Sequence, residues 1–338
     1  MNPRRFESIT SRYGSLKLVV LGDVCLDRYF EIDPALEETS LETGEIVHNV
    51  VRVRCQPGAA GTILNNLAAL GIGTLYPIAF LGQDAEGHEL HACLNQLPGV
   101  NLEYLQRTPL RRTFCYTKPL VLRPDQPPRE LNRLDFKNWS ATPAAVEEVI
   151  IQAVRKLAPQ VDAMIVLDQV DVPETGVVTT RVREVLGELA SLYPHLFIIA
   201  DSRRGLQGFP PLSFKMNARE LAVLTGASGD TPLNQLRFIA QALAARHRRP
   251  IFVTLAERGI LGASADGSPV HLDALPVRGE IDIVGAGDAV MANLSAAMAS
   301  GAELSEALEL ANAAASIVIH QLGTTGTASV GQLAARLT

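Results

Sequence analysis

Short, apolar, β-rich runs alternate along this chain with longer stretches in which apolar residues recur every three or four positions. That rhythm predicts a parallel sheet covered by helices on both faces. The first strand is expected over Leu16 to Leu21, closed by Gly22, followed by a helix over Ala60 to Leu70 with Gly71 at its end. A strand over Thr74 to Leu81 and a helix over Ala85 to Leu97 continue the pattern. Further on come a helix over Ala144 to Leu157, a strand over Val161 to Leu167, a helix over Val178 to Leu192 and a strand over Leu196 to Ala200. A short helix over Ala218 to Leu224 ends at Gly226, and the next, Pro232 to Ala245, takes Asp230 or Thr231 as N-cap with Pro232 near its first position. The strand Ile251 to Leu255 closes the alternating part. Ile260 to Ala263 and Pro269 to Leu272 then flank Asp266-Gly267, a hairpin signal, and a last helix is expected from about Leu304 to Gln321.

Two segments break the rhythm. Tyr29 to Arg54 and Thr113 to Leu122 alternate like strands but bring no helix, so each is expected to leave the main sheet. Together they predict a small β-layer, a lid over the carboxyl ends of the parallel strands, where open α/β sheets bind ligands. The expected fold is therefore α/β: a three-layer α/β/α arrangement with a central, mostly parallel sheet and a small β-sheet lid. No internal repeat or long linker interrupts it, and residues 1–338 are expected to form a single domain.

The chemistry concentrates at Ile281-Asp282-Ile283-Val284-Gly285-Ala286-Gly287-Asp288, where an apolar run breaks into three small residues and an aspartate before an Ala-rich helix that ends at Gly301. Small residues let the backbone approach an anion closely, and the unpaired N–H groups of a helix start favour negative charge. Asp288 falls in the first turn, placed to take a proton from an attacking hydroxyl. A tight turn followed by a dipole-complementing aspartate is the other reading of the same residues.

Composition narrows the field. With 47% hydrophobic and 20% charged residues the chain reads as a globular protein, and its net charge of −6 offers no electrostatic case for nucleic acid. No stretch is long and apolar enough to span a membrane, and Lys17 interrupts the apolar run behind Arg4 and Arg5 that a signal peptide would need. Cys25, Cys55, Cys93 and Cys115 lack C-x-x-C spacing and read as reduced thiols of a cytoplasmic protein. His88, His91 and Cys93 lie close together on a predicted helix without the i, i+4 spacing of a zinc site. Gly-Asp-Val-Cys-Leu-Asp follows the first strand in place of G-x-G-x-x-G, which argues against a nicotinamide-dependent dehydrogenase.

Taken together, the motifs resemble those of the ribokinase family, also called the PfkB carbohydrate kinases, over nearly the whole chain, and most closely those of the kinase domain of heptose 7-phosphate kinases. Asp282 with Gly285-Ala286-Gly287-Asp288 matches Asp-Thr-x-Gly-Ala-Gly-Asp, with Ile283 in place of the threonine. Gly22-Asp23-Val24-Cys25-Leu26-Asp27-Arg28-Tyr29 is similar to a sugar-binding Gly-Asp-x-x-Leu-Asp-Arg-Tyr string. Pro57-Gly58-Ala59-Ala60-Gly61-Thr62 matches the Gly-Gly-Ala-Ala-Asn loop, with Gly61 where the family carries a sugar-contacting asparagine. Gly82-Gln83-Asp84-Ala85-Glu86-Gly87 and Arg133-Leu134-Asp135-Phe136 fit as well, and Ala200-Asp201-Ser202-Arg203-Arg204-Gly205 follows Asp-Pro-Lys-Gly loosely. Asn217-Ala218-Arg219-Glu220 fits Asn-x-x-Glu; Thr254, Glu257 and Gly259 fit Thr-x-Gly-x-x-Gly, with Ala256 at the first glycine. Asn312 to Ala315 and Leu322-Gly323-Thr324 match the C-terminal helix and turn near the adenine.

The resemblance implies a kinase using ATP and Mg2+, with Asp288 as catalytic base and Gly285, Ala286 and Gly287 as its anion hole. It implies sugar binding by Asp23, Asp27, Gly58, Ala59, Lys118 and Arg133, and nucleotide binding by Asn217, Thr254, Glu257, Gly259, Asp282 and Asn312. Glu220 and Asn217 would hold the metal through water. Arg28, Arg112, Lys118, Arg203 and Arg204 are the cations that could meet a phosphorylated substrate. The acceptor it points to is a sugar or sugar phosphate, in particular the anomeric hydroxyl of D-glycero-D-manno-heptose 7-phosphate. A ribose-like sugar, a fructose phosphate or a nucleoside stays open as acceptor, as does a non-catalytic sugar-phosphate-binding protein. A homodimer through the β-lid is also implied, and within these 338 residues the nucleotidyltransferase domain that some relatives carry is not expected.

Overall fold

Residues 1–227 and 231–337 are described by the structure, a computed structural model. Helix α1 (Pro3–Thr10) leads to β1 (Lys17–Gly22), which is buried along its last five residues. The chain runs on into β2 (Val24–Ile32), makes the short pair β3 (Glu38–Thr39) and β4 (Ile46–Val47), and returns along β5 (Val50–Ala59). Helix α2 (Ala60–Ala69), β6 (Thr74–Gly82), α3 (Ala85–Asn95) and β7 (Leu105–Thr108) restore the alternation. β8 (Phe114–Val121), β9 (Arg129–Glu130) and β10 (Leu134–Phe136) leave it again. Then follow α4 (Ala144–Leu157), β11 (Ala163–Asp168), α5 (Thr180–Leu192), β12 (Phe197–Ser202), β13 (Ser213–Asn217) and α6 (Ala218–Thr225). α7 (Leu233–His247) and β14 (Ile251–Thr254) precede the hairpin of β15 (Ile260–Ala263) and β16 (Val270–Leu272), and α8 (Ala286–Ala299), α9 (Leu304–Val318) and α10 (Val330–Leu337) complete the chain.

The main sheet has the order β16-β15-β14-β13-β12-β11-β1-β6-β7, parallel except for the hairpin at one edge. Its connections run outward on both sides of β1, so the strand order reverses between β1 and β11, and a crevice opens at the carboxyl ends there. The second sheet, β10-β8-β2-β5 with β9 paired to β8, covers that end. This lid is larger than its alternating segments predict. β2 pairs with β5 from Val24↔Ala59 onward, so the Asp-rich string after β1 is a lid strand and not a turn.

Other differences have local causes. β13 escapes the sequence pattern because Ser213-Phe214-Lys215-Met216-Asn217 offers only two apolar side chains. Helices α1 and α10 are short and amphipathic, and β7 is a four-residue edge strand. The N-cap of α7 is Pro232, which cannot be bonded as a side-chain cap; Thr231 lies one position too early, and Asp230 lies outside the described residues. α9 stops at Val318 because the next residues turn back to let the Ile319 carbonyl accept the Asp282 N–H. Among the described residues no helix is long and apolar enough to cross a membrane.

The element that positions the site is α8. Its residues from Ala289 to Ala297 are all buried, because it packs between α2 and α9 with β11 and β12 beneath it. An all-round apolar helix of this kind is stable only inside a core. Leu294 is fully buried there, so Leu294→Ala should cost about 2–5 kcal/mol of stability. The shift in the chemical denaturation midpoint checks this; a loss below about 1 kcal/mol would mean the helix is not held as described.

Candidate active site

The start of α8 is a cradle of amides. Gly285 is its N-cap with φ +84°, and a Cβ there would approach Thr325 Cβ to 3.3 Å, so both conformation and space call for glycine. The Ala289 N–H is the first to bond back into the helix, to the Gly285 carbonyl at 3.0 Å. The Ala286 N–H donates to the Ile283 carbonyl at 3.2 Å, which removes Ala286 from the expected set of free donors. The amides of Gly285, Gly287 and Asp288 have no acceptor among the described residues. They stand at the positive end of the helix dipole.

Two cavities meet at this point. One is a cleft of about 580 Å³ walled by the β14 end at Thr254, the turn Leu255 to Gly259, the segment around Leu275, Val277 and Ile281, and α9 at Asn312 and Ala315. Ala286 and Gly287 form its floor on the α8 side. Its walls are mostly apolar with a few polar groups, which suits a flat heteroaromatic base. The other cavity, about 260 Å³, lies between the lid and the sheet and is densely charged. Gly285 and Asp288 line it, with Asp27, Ala59, Tyr116, Lys118, Arg133, Lys137, Gln169, Asp171 and Arg203. The first turn of α8 is thus a partition whose two faces look into different cavities.

Several of the expected residues lie close together at the two cavities. Asp27, on β2, points into the charged cavity 3.6 Å from Lys118 on β8. Burial raises its pKa, opposed by Lys118 and Arg133. Gly58 leaves room for that carboxylate, since a Cβ would come within 2.6 Å of Asp27 Oδ2. Ala59 lines the cavity at φ +54°, an uncommon backbone for a residue with a side chain. Arg133 is held bidentate by Asp135 at 2.6 and 2.8 Å. In the larger cleft, Thr254, Glu257, Gly259, Asn217 and Asn312 are all lining residues. Ala256, at the position of a family glycine, keeps the glycine-like φ of +54°.

Others are placed differently. Asp23 is buried and both its oxygens accept backbone N–H groups, from Gln169 at 2.8 Å and Val177 at 2.7 Å, so it clamps the loop after β11 and is not free to bind a sugar. Burial, with Asp168 nearby, pushes its pKa up to about 7. Asp282 lines neither cavity; its Oδ1 accepts the Val284 N–H at 3.0 Å and shapes the turn into α8. Arg28 is engaged by Glu86 and Glu89, Arg204 by Asp168, and Arg112 lies over the Phe136 ring, which leaves Lys118 and Arg203 of the five arginines and lysines facing the charged cavity.

Asn217 and Glu220 form a capping box on α6: the Glu220 N–H donates to Asn217 Oδ1 at 2.9 Å and the Asn217 N–H to Glu220 Oε2 at 2.7 Å. Among the described residues there is no group of three or more His, Cys, Asp or Glu side chains able to enclose a metal. What surrounds Lys215 is a set of carboxylates, Asp201, Glu220 and Asp288, that one ammonium does not neutralise. This donor set fits a hydrated divalent ion held through water and phosphate better than a protein cage.

Lys215 is the residue that sequence reasoning missed. Its Nζ pairs with Asp201 at 2.6 Å and lies 3.1 Å from where a Gly287 Cβ would be, directly under the cradle. The available signal was its place two residues before Asn217, on the same face of a strand, as a lysine flanked by Phe214 and Met216. Burial pushes the Asp288 pKa up to about 7, with Lys215 opposing and Asp201 and Asp27 adding to the rise. Lys137 and Asp171 were missed as well; they bond at 2.7 Å, and Arg203 joins Asp171 at 2.9 Å.

Residues 211–330 match the family profile of the pfkB family carbohydrate kinases. The chain is 29% identical over 336 residues to the bifunctional protein HldE of Gluconacetobacter diazotrophicus, covering 96% of this chain and 64% of that protein. It is 28% identical to HldE of Geotalea uraniireducens, over 100% of this chain and 66% of that one. The chain therefore spans slightly less than two thirds of the length of these relatives. Among solved structures, Escherichia coli phosphofructokinase-2 in complex with substrates and products superposes with a TM-score of 0.71 at 17% identity, over 95% of this chain and 98% of that one. Arabidopsis thaliana ribokinase complexed with ribose and ATP gives 0.64 at 19%, over 94% and 95%. These two likenesses establish the ribokinase-like fold.

Asp23 and Asp288 both have native pKa values of about 7 against an ordinary 3.8. A carboxyl group raised on folding contributes stability that is complete below the unfolded value and is lost as pH rises through the folded one. Stability should accordingly fall between about pH 4 and 7, and Asp288→Asn should flatten part of that fall. Lys215→Met should move the Asp288 titration, followed by carboxyl NMR, to higher pH; an unmoved titration would show that the ammonium does not act on it.

Proposed function

We propose that this chain is a carbohydrate kinase of the pfkB family, whose profile residues 211–330 match, and that it transfers the γ-phosphate of ATP to a hydroxyl of a sugar phosphate, with the anomeric hydroxyl of D-glycero-D-manno-heptose 7-phosphate as the specific acceptor. One observation carries the transfer itself. The unbonded amides and carboxylate of the α8 first turn separate an apolar cleft sized for a nucleotide from a charged cavity sized for a small polyol. A phosphoryl group passing between the two must pass this turn.

Asp288 faces the acceptor side and takes the hydroxyl proton as the oxygen attacks the γ-phosphorus. The Gly285 and Gly287 amides, at the positive end of α8, stabilise charge on the group in transfer. Lys215 favours the ionised form of Asp288 and so keeps the base available. Asn217 and Glu220 would hold a magnesium ion through water, and that ion would supply charge neutralisation on the nucleotide phosphates. The lid keeps water, a competing acceptor, from the reacting phosphate. The charged cavity supports a phosphorylated acceptor. Lys118, Arg133, Lys137 and Arg203 line it against Asp27, Asp171 and Asp288, and arginine suits bidentate phosphate recognition.

Two further readings belong to this proposal. β5 is an edge strand of the lid, with Val51 and Val53 both more than half exposed on one face, which supports a homodimer through the lid. Four free cysteines support a reducing, cytoplasmic setting.

Asp288→Asn should lower turnover by about 10²–10⁴-fold while leaving nucleotide affinity unchanged, measured as magnesium-dependent ADP release and by nucleotide titration. Turnover equal to the unaltered protein would falsify Asp288 as the base. Heptose 7-phosphate should outperform ribose, fructose phosphates and nucleosides in an acceptor panel, with the new phosphate located on C1. Binding without turnover across the panel would favour a non-catalytic sugar-phosphate-binding protein.

A further inference from the structure

Gln56 lies on β5 directly across from Asp27, with which it is paired in the lid register. It lines neither cavity. Its amide is instead the middle of a polar chain that joins the lid to the body of the protein. Gln56 Nε2 donates to Thr325 Oγ1 at 2.9 Å and to the Tyr29 hydroxyl at 3.3 Å, and Thr324 Oγ1 donates to Gln56 Oε1 at 3.4 Å. Thr325, in the turn after α9, packs on Gly285, the N-cap of the amide cradle, and itself lines the charged cavity. On the lid side, Lys118 Nζ donates to the same Tyr29 hydroxyl at 3.3 Å and pairs with Asp27. One amide therefore ties the side chains that face the acceptor to the turn that supports the anion cradle.

We propose that Gln56 is a positioning residue that fixes the distance between the lid's acceptor groups, Asp27 and Lys118, and the Gly285 end of the cradle. This rests on the kinase reading above. Among the described residues, other side-chain ties from the lid to the body, Arg28 to Glu86 and Glu89 and Cys55 to Glu89, both carboxylates on α3, and Lys137 to Asp171 after β11, lie elsewhere and do not reach the turn that touches Gly285. Without the Gln56 bridge the lid keeps those ties but is free to tilt at the edge over the cradle. The acceptor hydroxyl is then misaligned and water gains access to the phosphate, while the nucleotide cleft, built from β14, α9 and the segment before α8, is untouched. Misplacement of a reacting group by about 1 Å costs on the order of 10²-fold.

The test uses Gln56→Met, which keeps the side chain's length and removes its hydrogen bonds, and Thr325→Val, which removes the partner hydroxyl. With an acceptor that the unaltered protein phosphorylates, each should lower kcat/KM for the acceptor by about 10–100-fold and leave the nucleotide KM within about twofold. ADP released per product formed should rise above one, and the double variant should be no worse than either single variant. In the free protein, hydrogen exchange should quicken in β5 and in residues 324–326, with protection of α8 unchanged. Unchanged acceptor kinetics and stoichiometry in Gln56→Met, additive effects in the double variant, or unchanged exchange at both segments would each overturn the proposal. Should the unaltered protein phosphorylate no acceptor, the kinase reading is what fails, and the exchange measurement still decides whether Gln56 holds the lid. If Gln56→Met does not fold, Thr325→Val tests the same bond through hydrogen exchange in β5, a readout that a direct contact of Thr325 with the acceptor would not move in the free protein.

Discussion

Unbonded amides at the start of α8 are the constraint on which the rest of this structure depends. A helix N-terminus leaves donors without partners, and burying them costs free energy unless an anion or water satisfies them. Here the cost is tolerated at a turn that only glycine can form, at the mouth of a helix so thoroughly enclosed by α2, α9 and the sheet that it cannot shift to find other acceptors. Rigidity behind the cradle and openness in front of it are consequences of the same packing.

Charge around that turn is arranged in two layers. Beneath it, Lys215 sits among Asp201, Glu220 and Asp288, and its ammonium opposes the rise in the pKa of the half-buried base, which is ionisable near neutrality. Above it, the lid delivers Asp27, Lys118 and Arg133, and the loops after β11 and β12 deliver Asp171 and Arg203. Nearly every cation in the upper layer is already matched to a carboxylate, Arg133 to Asp135, Lys137 and Arg203 to Asp171, and Lys118 to Asp27. These pairs hold the cations in place at the cavity wall, and an anionic ligand competes for them where they already stand. The topology explains why the layers meet here: the strand order reverses between β1 and β11, so loops from both halves of the sheet converge on one crevice.

The lid shows how far a local pattern can mislead about extent while being right about kind. Alternation in residues 29–54 and 113–122 marks strands that leave the main sheet, but pairing of β2 with β5 continues to Val24 and Ala59, and β9 and β10 extend the layer beyond the second segment. Short strands such as Arg129–Glu130 carry too few residues for any periodicity to register; only their partner, β8, makes them strands.

What the sequence determined by itself is the rhythm of strand and helix, the placing of Gly-Ala-Gly-Asp at a helix start, and the presence of nucleotide- and sugar-type motifs, because period and local turn chemistry are properties of neighbouring residues. Tertiary structure alone decided which motif residues are free to act. Asp23 and Asp27 are alike in the sequence, four residues apart, the first just before β2 and the second on it, yet one is consumed by two backbone amides of a distant loop and the other faces the cavity. The same holds for Ala286, whose amide is taken by Ile283, and for Lys215, an unremarked lysine until β12 and α8 bring Asp201 and Asp288 to it. Hydrogen-bond partners and desolvation come from residues far apart in the chain, and no local pattern records them.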